Sequence, residues 1–165
     1  MAATDDLIRA SLTDEGFEGF VTFDALPSGG INSVPTAGGV YVVLREAGTP
    51  PSFLASNPGG RFKRRDPTVA VAELEAKWVG GCHVIYIGKA KNLRRRVKQY
   101  MDFGLGKAVG HWGGRYIWQL VESDKLLVAW HPITWNEVAR EYEKRLLSRF
   151  SVDHDGRRPF ANLRG

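Results

Sequence analysis

The stretch that most restricts the fold is "VIYIGKAKNLRRRVKQY", residues 84–100. A β-branched, aromatic run reads as a strand, Gly88 ends it, and Asn92 is a good cap for a helix over the residues that follow. Six of the ten residues from Lys89 to Lys98 are basic: Lys89, Lys91, Arg94, Arg95, Arg96 and Lys98. Like charges at helical spacing repel one another, so this cluster weakens an isolated helix unless something anionic offsets the repulsion. A solvated face accounts for most of these charges equally well. Arg96 is different. Leu93, Val97 and Tyr100 recur at helical spacing as a buried stripe, and Arg96 lies along it. An arginine held against a core needs a carboxylate or a phosphate.

The same reasoning separates three glutamates in "WNEVAREYEKRLLSRF", the strongest helical pattern in the chain. At about 100° per residue, Val138, Ala139, Tyr142, Leu146, Leu147 and Phe150 form one apolar stripe. Glu137 and Glu141 fall opposite, whereas Glu143 falls inside it. A carboxylate there is paired, protonated or bound to metal. A salt bridge to Arg96 and a metal site are equally good readings.

Upstream, "GVYVVLR" (39–45) reads as a strand with Val40, Val42 and Leu44 on one face and Tyr41 with Val43 on the other. In "HVIYIG" the alternation puts Ile85 and Ile87 on one face, Val84 and Tyr86 on the other. Pairing of the two aliphatic faces brings Tyr41 and Tyr86 to the same side, where two half-buried sheet tyrosines would be unremarkable. Further elements are a helix over "DDLIRASLTDEG", a strand over "GFVTFDAL", and a helix over "DPTVAVAELEAKW" with Asp66 as cap and Pro67 in its first turn. "RYIWQLVESDKLLVAWHPI" reads as two strands around "ESDK". Residues 46–67, dense in Pro and Gly, read as loop or a loose insertion. Phe160 is placed to pin the tail to the body.

Together these residues resemble the GIY-YIG nuclease family. "GVY" at 39–41 stands for its first motif, with Val40 in place of isoleucine, and "YIG" at 86–88 is the second. Lys89 after the glycine, Arg96 ten residues after Tyr86, and Tyr100 four later are similar to the branch found in the incision subunit of bacterial nucleotide excision repair. Glu143, with Leu146, Leu147 and Phe150 at its following offsets, matches the family's metal-binding glutamate. Asn162, after Pro159 and Phe160, matches its closing asparagine. The chain departs from the pattern in the long connection 45–83 and in an extra strand before the glutamate helix.

The resemblance implies an α/β (α+β) fold, a small mixed or antiparallel sheet flanked by helices. It implies one domain over 1–165, with 1–38 as an N-terminal extension and 45–83 as an insertion. It implies hydrolysis of DNA phosphodiesters, RNA not being excluded. Glu143 would hold Mg²⁺ or Mn²⁺, Arg96 would brace the phosphate, and Tyr41 would be the general base, with Lys89 adding positive field. Tyr86 and Tyr100 would orient water and phosphate, and Asn162 would hold the site together. Lys91, Arg94, Arg95 and Lys98 would meet backbone phosphates. Arg61, Lys63, Arg64 and Arg65, in "RFKRR", would extend that track, with Phe62 as a stacking residue. His111 is a lesser candidate acid or base. A non-catalytic nucleic-acid-binding module on the same scaffold is the alternative.

A net charge of +5 fits an anionic partner. No apolar run is long enough for a membrane span and the acidic N-terminus lacks a leader pattern, so the expected location is the cytoplasm. The lone Cys82 excludes an internal disulfide and reads as a small packed residue. Targeting would come from the insertion, from a homodimer or from a partner protein.

Overall fold

The computed structural model describes residues 2–109 and 114–163, with the side chains of 2–7 and of Phe62 outside that description. His111 therefore lies outside the described residues. The chain forms a four-stranded antiparallel sheet in the order β1-β4-β2-β3, with β1 at Glu18–Thr22, β2 at Gly39–Leu44, β3 at Val84–Ala90 and β4 at Leu127–Pro132. The helices are α1 (Ala2–Glu15), α2 (Val71–Lys77), α3 (Leu93–Gly104), the short α4 (Arg115–Trp118) and α5 (Asn136–Asp153). This is the mixed α+β architecture that the sequence implies.

Each face of the sheet closes its own core. Tyr41, Val43, Ile85, Val128 and Trp130 pack with Leu93, Val97, Tyr100 and Phe103 of α3. Val40, Val42, Leu44, Ile87 and Ala129 pack with Leu12 of α1 and with Ala139, Leu146 and Phe150 of α5. β2 is buried along its whole length and takes partners on both sides, so its two rows of side chains seed both cores. The N-terminal extension supplies α1 and β1, lengthening the sheet beyond β4.

Several expectations are corrected. A bulge lies opposite Val43 and Leu44, whose partners are Tyr86 and Val84, and Ile85 is the extra residue. Ile85 therefore joins the tyrosine face, while Val84 packs beside Ile87. Tyr41 and Tyr86 still share a face, with their rings 5.7 Å apart. The strand expected over 19–26 stops at Thr22 and continues as a 3-10 turn at Phe23–Ala25. α2 starts at Val71 rather than after Asp66. Asp66 Oδ1 accepts the Thr68 N–H at 2.9 Å, closing a local turn, and Val69 N–H is bonded to Gln119 Oε1, which keeps residues 67–70 extended. Val138 is 52 % exposed and leaves the apolar stripe of α5.

The first of the two strands expected in 115–133 is instead the helical turn α4 followed by one isolated bridge, Phe53 to Leu120. Residues 116–120 are all buried, and an unbroken buried run has no periodicity by which a strand can be told from a helix. The insertion is not loose. Gln119, fully buried, donates from Nε2 to the carbonyls of Leu54 and Val69 at 2.9 and 2.7 Å. Its Oε1 accepts from Val69 N–H at 2.9 Å and from Asn57 Nδ2 at 3.3 Å. Among the described residues, no helix is long and apolar enough to cross a membrane.

Candidate active site

The register of β2 against β3 sets Tyr41 opposite Gly88. The Tyr41 ring lies over that glycine: a Cβ at position 88 would come within 2.7 Å of Tyr41 Cζ and 2.5 Å of the Tyr86 ring. Here glycine is required by space, not by backbone conformation. Tyr100 reaches in from α3 and completes a triangle, 5.9 Å from Tyr41 and 6.0 Å from Tyr86. The Tyr41 hydroxyl donates to the Tyr100 hydroxyl at 3.4 Å.

Burial, reinforced by the Tyr86 phenol, holds the Tyr41 phenol well above its ordinary value near 10, against the pull of the Tyr100 hydroxyl and the Arg96 charge. Tyr100 is pushed up chiefly by burial as well. Both are neutral phenols at neutral pH. Tyr86, only half-buried, is the ring of the three that solvent reaches.

The basic helix is fixed at its start. Asn92 caps α3 by accepting Arg95 N–H at 2.9 Å, and the N–H groups of Leu93 and Arg94 bond to the carbonyls of Ala37 and Pro35. Its charges then divide. The Arg94 guanidinium is committed to the carbonyls of Val34 and Asn32, at 2.7 and 3.0 Å. Lys98 is paired with Asp102 at 2.7 Å. Arg95 and Arg96 form no ion pair among the described residues, and with Lys89 of β3, Lys91, Asn92 and Gln99 they line a groove of about 400 Å³. Among the described residues no carboxylate pairs with Arg96, so of the two readings of Glu143 the salt bridge to Arg96 is not formed.

Glu143 stands on α5, which packs on the other face of β2 and β3. Burial raises its carboxyl above the ordinary glutamate value, opposed but not cancelled by the charges of Lys89 and Arg158. No hydrogen bond or ion pair reaches Glu143 among the described residues. Lys89 is thus the link between the two sides of the edge strand β3: it lines the groove with Arg96, and its charge acts on Glu143.

Arg158 escaped the sequence reading. Its only sequence signal was the basic tail "GRRPF", and the fold brings its charge within electrostatic reach of the glutamate. Asn162 takes the holding role. Its side chain pairs with Ile87 like a strand residue, accepting the N–H at 3.0 Å and donating to the carbonyl at 2.8 Å. Ala161 N–H bonds to the Ile85 carbonyl, and Phe160 is buried beneath.

The second basic cluster is separate from the groove. Arg61, Lys63, Arg64 and Arg65 are exposed and follow Gly60, whose N–H bonds to the Phe103 carbonyl at the far end of α3. Arg61 is paired with Asp66. Lys63 and Arg64 both adopt left-handed backbone, with φ of 54° and 62°, an uncommon conformation for residues other than glycine.

Among the described residues no three His, Cys, Asp or Glu side chains gather as a metal cluster. A half-buried carboxylate with no partner among the described residues nonetheless suits Mg²⁺, which takes one or two carboxylates, keeps several waters and accepts phosphate oxygens as ligands. No family model, curated protein or solved structure matches this chain, so the candidate site stands on its own geometry.

Proposed function

We propose that the chain is a metal-dependent endonuclease of the GIY-YIG type that hydrolyses DNA phosphodiesters. The observation that carries this reading is the pair of charges, Arg96 and Glu143, that have no ion-pair partner among the described residues and are linked through Lys89 at one edge strand. A fold that needed only stability would pair them with each other, because an uncompensated, partly buried charge is unfavourable.

Arg96, always charged and able to present two parallel N–H groups, braces the phosphate in the groove. Lys89 adds positive potential, and Lys91 and Arg95 meet flanking phosphates. Glu143 would hold the Mg²⁺ or Mn²⁺, which when bound supplies charge neutralisation and an acidified water. Tyr86 contacts the phosphate or the attacking water. Tyr41 as general base requires loss of a proton that burial holds firmly; the Arg96 charge and the Tyr100 hydroxyl favour the phenolate. The firmly neutral Tyr41 also supports the second reading, a module that binds nucleic acid without cutting it.

The test is nicking of supercoiled plasmid by the full chain, with and without Mg²⁺ or Mn²⁺, beside Arg96→Ala and Glu143→Ala. Metal-dependent nicking that both variants lose while still folded is the expected result. A wild type that binds DNA yet cuts no plasmid, branched or RNA substrate with either metal would overturn the enzymatic reading in favour of the binding module.

A further inference from the structure

Trp135 is 70 % exposed. Trp118 and Trp130 are buried and Trp78 is half-buried, so this indole has been left in water where other tryptophans of the chain are packed. It immediately precedes α5, where its carbonyl accepts the Ala139 N–H. Its two chain neighbours, Thr134 and Asn136, line a cleft of about 100 Å³ with Ala90 and Lys91. Asn136 Oδ1 accepts from Lys89 Nζ at 3.5 Å. The indole is therefore one residue away from a side chain that touches the groove lysine. Val138, in the first turn of α5, is likewise exposed, at 52 %. Lys91 lines both this cleft and the groove of Lys89, Arg95 and Arg96, so the row of cations begins beside the indole's two chain neighbours.

An exposed aromatic side chain beside a row of phosphate-binding cations is the arrangement by which proteins hold unpaired nucleotides, phosphate on the cations and base on the ring. A base inside a duplex is already stacked on both sides and offers no free face. Resting on the phosphate-binding role of the groove, we propose that Trp135 stacks on an unpaired nucleobase next to the bound phosphate. The preferred substrate is then DNA with single-stranded or locally opened character.

Binding is measured in EDTA, without cleavage, using labelled single-stranded, fully paired and centrally mismatched oligonucleotides. Wild type is compared with Trp135→Ala and Trp135→Phe. Trp135→Ala should weaken single-stranded and mismatched DNA by about tenfold and paired duplex by less than about twofold, while Trp135→Phe recovers most of the loss. Equal effects on all three substrates, no effect on any, or no binding by the wild type would overturn the stacking role. An indole that serves a protein partner gives the no-effect outcome. Trp135-dependent binding without metal-dependent nicking sinks the nuclease reading alone, and nicking without a Trp135 effect sinks the stacking alone.

Discussion

Gln119 and Glu143 are both polar side chains that the fold withdraws from water, and they are treated in opposite ways. Gln119 uses both ends of its amide, stitching the insertion at Leu54, Asn57 and Val69 to the body. Glu143, like Arg96 across the edge strand, has no hydrogen-bond or ion-pair partner among the described residues. A withdrawn polar group left unpaired costs about 1–3 kcal/mol, so Gln119 builds the molecule while Glu143 and Arg96 add nothing to it through pairing, as the proposed site requires. The same division runs along α3, where Arg94 is spent on two carbonyls and Arg96, two residues later, is not.

The contrast is broken most directly by activity against stability. Arg96→Ala should lower nicking by about a thousandfold while leaving urea-unfolding stability within about 0.5 kcal/mol of wild type. A large stability loss would move Arg96 to the building side. Gln119→Leu should do the reverse, losing about 3 kcal/mol in the same unfolding experiment because several backbone groups of the insertion lose their partner, with nicking by the folded fraction retained. Arg94→Ala should cost about 2 kcal/mol through its two charged hydrogen bonds; an unchanged midpoint would show that the 32–35 loop does not need it.

The smallest effect follows from proton linkage. Burial raises the Glu143 pKa in the folded chain above the ordinary glutamate value of 4.5, so the folded state holds this proton more firmly than the unfolded state. The stability that comes from the neutral carboxyl is present below pH 4.5 and is lost as pH rises through the raised value. Glu143→Gln should therefore match wild type near pH 4 and melt slightly higher near pH 7. The opposite order would mean that the ionised carboxylate has a stabilising partner in the fold.

Local patterns made much of the site legible. The stripe of Leu93, Val97 and Tyr100 and the Asn92 cap place Arg96 on one face of one helix, and the helical wheel isolates Glu143 from Glu137 and Glu141. Strand alternation put Tyr41 and Tyr86 on the same side, although the Ile85 bulge changed which aliphatic residues accompany them. A bulge is decided by how two strands pair, and neither strand carries it alone. The helical turn at Arg115–Trp118 was illegible for a related reason: burial on all sides erases periodicity.

The sequence by itself determined which residues could carry charge into a core, because helical and strand periods act within a few residues and assign each side chain a face. Only the tertiary structure decided which of those charges were left unpaired. Arg94 is consumed because residues 32–35 fold back over the start of α3, Lys98 because Asp102 lies one turn on, and the Arg158 charge acts on Glu143 without an ion pair because Phe160 and Asn162 bind the tail to β3. Partners distant in sequence meet only when the core closes, so the division between used and unused charge belongs to the fold.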